Sequence, residues 1–322
     1  MRASLLMLSA AVALVASNIT AGATDTAVPG ADGAAERSSA PVGTTQGLSV
    51  VTVIAQRIKL ESKVASYVYG VAALENDEGL ARWHAPVCPL VAGLTRQDGE
   101  FVLDRVSEIA RAAGVPLAGE KCRANLYIFV TSRPTELLRA MEKRNYAVTF
   151  GDAAPFRVDE FIDTPRPVRV WFNSYETAAG WDAPMPQGPP PSAQVLGGGM
   201  VSALSAPTYS GPGLLGASHL VSNIVFSVSY VYVIVDRAQL RGVSRGQFAD
   251  YVGMVSLAEI KTTPHVGEAR SILTLFQGAP QAALPGMSDW DRDFLKSLYG
   301  TMQESKLQRS LITRAMVREI AP

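Results

Sequence analysis

Three histidines, two cysteines and a scatter of carboxylates are what this chain offers for metal, thiol or acid–base chemistry. His84, His219 and His265 are far apart, so no two imidazoles can rise from one helix face as a zinc hydrolase requires. Cys88 and Cys122 are spaced far from Cys-x-x-Cys, and their surroundings do not complete a zinc set. In an oxidising compartment such an isolated pair is expected to form a disulfide. Closing a loop of that length would stabilise the fold by roughly 3–4 kcal/mol. Gly197-Gly198-Gly199 is not followed by Lys-Ser/Thr, so it is not a phosphate-cradling loop. The carboxylate pairs Asp291/Asp293 and Asp77/Glu78 are expected to be solvated helix-start or turn charges. No cofactor and no metal is expected.

The elements that must position these residues begin after a targeting segment. Residues 1–23 read as a signal peptide: Arg2, an apolar run Leu5–Ala16, and Ala21-Gly22-Ala23 as a small-x-small cleavage site. Its removal predicts a periplasmic or extracellular protein, and no later segment is apolar enough to span a bilayer. Residues 24–47 are rich in Ala, Gly, Ser, Thr and Pro and read as a disordered leader. One α+β domain is then expected over 48–322. Its first strand is placed at Ser49–Ala55 and a helix over Lys59–Leu74.

A strand–helix–strand–helix order follows: Val87–Leu94, then Glu100–Ala113 ended by Gly114, then Ala124–Thr131, then a helix opened by Pro134. That is a βαβ pattern, with a parallel pair and a twisted mixed sheet as its consequence. Pro167–Tyr175 and Val225–Val235 supply further strands. Between them, residues 182–217 form a Gly/Pro-rich insertion, and no Asp, Glu, Lys or Arg occurs from 183 to 235. The C-terminal third reads as helical: Ser244–Ile260, a helix opened by Ser288 with Asp291 completing a capping box, and Lys306–Ile320 with Leu307, Leu311, Ala315, Met316 and Ile320 inward.

Two segments carry a resemblance. Met287–Gly300 (MSDWDRDFLKSLYG) is similar to the helix after the Met-turn in matrixin-like metzincins, and Ser271–Phe276 (SILTLF) looks like the Met-turn itself, with Leu273 where methionine would stand. The chain also resembles a family of uncharacterised secreted bacterial proteins of this layout. The resemblance implies a metzincin-like zinc-protease scaffold, whose enzymes need H-E-x-x-H-x-x-G-x-x-H. Setting Gly253 at the motif glycine puts Gly246, Asp250 and Ser256 at the three histidines and Gln247 at the glutamate base. All three ligands and the base are then absent, and these five residues mark a vestigial cleft.

Equal numbers of acidic and basic residues, 29 each, argue against nucleic acid as the partner, because phosphate neutralisation needs a clustered basic surface. At 18% charged, the chain is also charge-poor for a soluble domain, where about a quarter is usual. The leading expectation is a secreted, non-catalytic binding protein on a protease-like scaffold, recognising a peptide, protein or envelope component. One alternative is a divergent hydrolase with an unrecognised site, possibly metal-dependent. A second is a structural envelope protein that docks through the uncharged 183–235 region.

Overall fold

Three runs rich in Val, Ile, Tyr and Phe, with the short segment Pro-Leu-Val-Ala, make one sheet, because β-branched and aromatic side chains fill a pleated surface well. In the computed structural model they are β1 (Pro89–Ala92), β2 (Leu126–Thr131), β3 (Val168–Ala178) and β4 (Ile224–Asp236). The structure describes residues 45–74, 79–178, 224–278, 283–302 and 307–321. The signal peptide, nearly all of the leader, the Gly/Pro-rich insertion, His219 and the Asp77/Glu78 pair lie outside the described residues. The strand order is β1-β2-β4-β3. β1, β2 and β4 run parallel, and β3 returns antiparallel along β4 with an irregularity at Asn173/Ser174. The fold is therefore α+β with a mixed sheet, and the strand–helix–strand reading of the first half holds.

Among the described residues, seven α-helices pack around this sheet. Along β2, Leu126, Ile128 and Val130 turn to one face while Tyr127 and Phe129 turn to the other, the period of two expected of a strand covered on both sides. The first face is covered by α1 (Thr45–Val71), α2 (Arg96–Ala113), α5 (Arg245–Leu257), α6 (Asp289–Gly300) and α7 (Gln308–Ile320). The second is covered by α3 (Pro134–Phe150) and α4 (Pro155–Asp163), whose Leu138, Phe150, Val158 and Ile162 pack on Trp171, Tyr232 and Ile234.

Local signals set several boundaries. Thr95 caps α2 by accepting the Asp98 amide, and Gly114 ends it in the left-handed region at φ 82°. Ser288 and Asp291 form the anticipated capping box of α6. Cys88 and Cys122 are bonded, with Cα atoms 6.0 Å apart. The bond ties the start of β1 to the segment before β2, two neighbouring parallel strands.

Three expectations need correction. Ser49–Ala55 is helical, part of α1, which opens at Thr45 inside the last three residues assigned to the leader. Val64, Tyr67, Val68 and Val71 anchor the far end of α1 in the core. Adding residues to a helix already nucleated costs little, and this outweighs the β preference of Val and Ile. The buried face of α7 is Gln308, Ile312, Ala315, Met316 and Val317, so Leu307 is left exposed and Leu311 and Ile320 only half-buried. Asp291 is not solvated: it is fully buried. Helix α4 was not anticipated, although Pro155 at its first turn is a usable signal.

Candidate functional site

Helix α5 is apolar around most of its circumference, which forces it into the interior; residues Gln247–Ala249 and Val252–Leu257 are buried on every side. It starts where Ser244 accepts the Gln247 amide (3.2 Å) and Gln247 Oε1 accepts the Ser244 amide (2.9 Å), a reciprocal cap. The five residues of the proposed vestigial cleft all lie on this helix, and most are used up in building it. Gln247 is spent on the cap and on donating Nε2 to the Leu284 carbonyl (2.8 Å). Gly253 lets α2 approach: a Cβ there would sit 2.6 Å from Ile109 Cδ1. Ser256 is fully buried, and its carbonyl accepts the Trp83 indole N–H (3.0 Å).

Gly246 and Asp250 line a shallow depression beside α2 together with Phe101, Arg105, Met287 and Trp290. Asp250 is 3% exposed. Its Oδ1 accepts Arg105 Nε at 2.5 Å and its Oδ2 accepts the Met287 amide at 2.6 Å. The carboxylate in turn holds the Arg105 guanidinium well above its ordinary pKa. Next along the chain, the Ser288 amide is taken by Asp291 Oδ2 (2.9 Å). Asp291 also accepts Tyr67 Oη (2.8 Å), Ser271 Oγ (2.5 Å) and the Ile272 amide (2.9 Å). Two buried carboxylates from α5 and α6 thus grip consecutive amides and fix the 3-10 turn Ile272–Thr274. Each of their four oxygens accepts at least one hydrogen bond, so this side of the molecule is structural.

The other side of α5 differs. Tyr251 and Val255, one helical turn apart, and Glu259 just beyond the end of α5 face a groove of about 670 Å³. Its long wall is β3, from Val168 to Tyr175, and its opposite lip is the end of α3 with the turn to Ala153. β3 is an outermost strand, and among the described residues no strand pairs with its free edge. An edge strand carries a row of backbone N–H and C=O groups that another chain can use. The Tyr251 ring stacks edge-on to Phe276 (4.8 Å), burial pushes its phenol up to about 12, and no described residue hydrogen-bonds its hydroxyl. These residues were missed in the sequence, yet the i, i+4 spacing of Tyr251 and Val255 was the available signal for those two; Glu259 lies past the helix end.

The remaining chemistry-bearing groups do not converge. His84 Nδ1 lies 2.8 Å from Ser227 Oγ, but Ser227 is 2% exposed and cannot meet a substrate carbonyl. His265 is exposed, and its backbone amide bonds to Gly70. A G-x-S-x-G spacing does occur at Gly242–Gly246, but its serine, Ser244, is the α5 cap and stands well beyond the end of β4 at Asp236 rather than on a tight strand-to-helix elbow. Among the described residues, no cluster of three His, Cys, Asp or Glu side chains could hold a metal ion. No described helix is long and apolar enough to cross a membrane. Comparison with protein-family models, with curated proteins and with solved structures finds no match.

Proposed function

We propose that the chain is a secreted binding protein, periplasmic or extracellular, that takes an extended peptide segment as an added strand on β3. The observation that carries this is the free edge of β3 lying along a groove. Main-chain hydrogen bonds to such an edge supply affinity, and flanking pockets for alternate side chains supply selectivity. The scaffold is read as metzincin-like with its chemistry lost. Its sheet, α5, the 3-10 turn at Ile272 and α6 follow in the order that the resemblance implies.

The groove also supports a different register for the lost motif. Two zinc-binding histidines one turn apart must share the helix face that looks into the cleft. On α5 that face carries Tyr251 and Val255, which sets Val252 at the base. Ala258, the residue that ends α5, then stands at the motif glycine, and Lys261 at the third histidine. This places the glycine where the chain must bend. In both registers the side chains are unfit to hold zinc: a phenol, an isopropyl group and an ammonium in one, and no imidazole in the other.

Selection of bound peptides from a displayed random library, followed by amide hydrogen exchange of the complex, tests the reading. Slowed exchange at alternate residues of Val168–Ala178 is the expected result. Selected peptides that leave β3 exchange unchanged would refute it. Stoichiometric zinc in protein purified from its native secretion, without chelator, would equally count against a non-catalytic role.

A further inference from the structure

Resting on the β3-edge reading, we infer that the occupant of the groove is an acidic peptide segment. The chain as a whole is neutral, with 29 basic and 29 acidic residues. The groove is not: Arg157, Arg166, Arg169 and Lys261 line it against only Asp152 and Glu259. The Glu259 carboxylate is already engaged, accepting the Ala81 amide at 2.9 Å.

Several cations elsewhere are neutralised by carboxylates, whereas the groove cations share with Arg111, Arg123 and Arg318 the lack of an ion pair to any described residue. Arg96, Arg105, Arg133, Arg139, Arg245 and Arg292 all make ion pairs with carboxylates. Arg157 and Arg166 make none with any described residue. Lys261 donates to the Tyr69 carbonyl (2.7 Å) and lies over the Tyr69 ring (4.4 Å), again without a carboxylate. Arg169 is 3% exposed, donating Nε to Thr164 O (3.1 Å) and Nη2 to Thr135 Oγ1 (3.2 Å), while its buried Nη1 has no partner. Burial first, and then the neighbouring Arg166, hold the Arg169 pKa below its ordinary value. Asp236 and Asp163 act on Arg169 in the opposite sense but do not offset these two effects, so two cations crowd one end of the groove without an ion pair to either.

The distribution matches an extended ligand. Arg166 precedes the start of β3. Lys261 is near the other end, because Glu259 binds Ala81 and the next amide, Arg82, bonds to Phe226, which stands opposite Glu176 of β3. The strand wall Val168–Tyr175 would align with a peptide about 26 Å long at roughly 3.3 Å per residue. Arg157 rises from α4 on one face of the sheet, and Lys261 follows α5 on the other. Both alternating sets of peptide side chains would thus meet a cation. A concave site of one sign focuses its field and enriches ligands of the opposite charge.

The test uses the secreted full-length protein and labelled peptides of about nine residues in which Val alternates with Glu, Gln or Lys. Anisotropy titrations are run at low and high salt. The Glu peptide is expected to bind about tenfold tighter than the Lys peptide, with Gln between and the gap closing in salt. Arg157→Glu with Arg166→Glu should invert that order, while Arg157→Lys with Arg166→Lys keeps it, and circular dichroism checks the fold of each. Equal affinity for the three peptides would overturn the charge inference and leave the β3-edge reading standing. So would an order that the double charge reversal does not move. Absence of binding by all three, with none selected from a random library, would bring down both.

Discussion

The two sides of α5 are made from the same kinds of residue and serve opposite ends. Toward α2 and α6, an aspartate, an arginine and a second aspartate are brought together, and each carboxylate oxygen has at least one donor. Toward β3, arginines and a lysine stand without carboxylates beside a strand edge that has no described partner. Buried polar groups are costly unless satisfied, so the hydrogen-bonded side is what the fold requires to exist. The other side is partly open to water, where unpaired charge costs little. The difference separates residues that hold the molecule together from residues available to a ligand.

Substitution should divide along the same line. Asp291→Ala strands the hydroxyls of Tyr67 and Ser271 and the amides of Ile272 and Ser288, and should cost about 3–5 kcal/mol in denaturant unfolding. Peptide affinity of whatever protein remains folded should be unchanged. Asp250→Ala leaves the Met287 amide unpaired, but Arg105 can turn to water, so about 2 kcal/mol is expected. A loss below about 0.5 kcal/mol would show that the hydrogen-bonded side is not structural after all.

Buried phenols give a pH test. Burial pushes Tyr251 and Tyr232 up from 10.0 to about 12, and burial and Asp291 also hold Tyr67 well above 10.0. The folded state then keeps protons that the unfolded chain releases above pH 10, so stability should fall as pH rises from 10 toward 12. Site-resolved NMR of the ring carbons should show Tyr67, Tyr232 and Tyr251 ionising only with loss of ellipticity or above about pH 11; phenolate at these three near 10 in a chain that keeps its ellipticity would contradict it. The smallest effect on stability belongs to Tyr251→Phe. It removes a hydroxyl without a described partner and should move unfolding by less than about 0.5 kcal/mol while weakening the acidic peptide severalfold. A large stability loss there would erase the contrast between the two sides.

Much of the frame was legible in the sequence because its signals are local. Gly114, Pro134, Ser244 and Ser288 each mark a helix end by chemistry that acts within one turn. The candidate site was legible only in part. Asp250 and Gln247 attract notice as polar residues on an apolar helix, but nothing local tells that Arg105, far earlier in the chain, neutralises one and that the cap absorbs the other. The run from Val50 to Ile54 misled for a related reason, since the anchor that makes it helical lies in the second half of α1.

The sequence by itself determined the element types over most of the described chain, the capping of α2, α5 and α6, and which two cysteines were available to pair. These depend on steric and hydrogen-bonding preferences within a few residues, and on there being only one possible pair. Tertiary structure alone decided that β3 lies outermost, that α5 turns Tyr251 rather than Asp250 toward it, and that Arg157, Arg166 and Lys261 share a groove. Those facts rest on contacts between segments distant in the chain, where the free energy comes from burying one surface against another, and no local pattern encodes which surfaces meet.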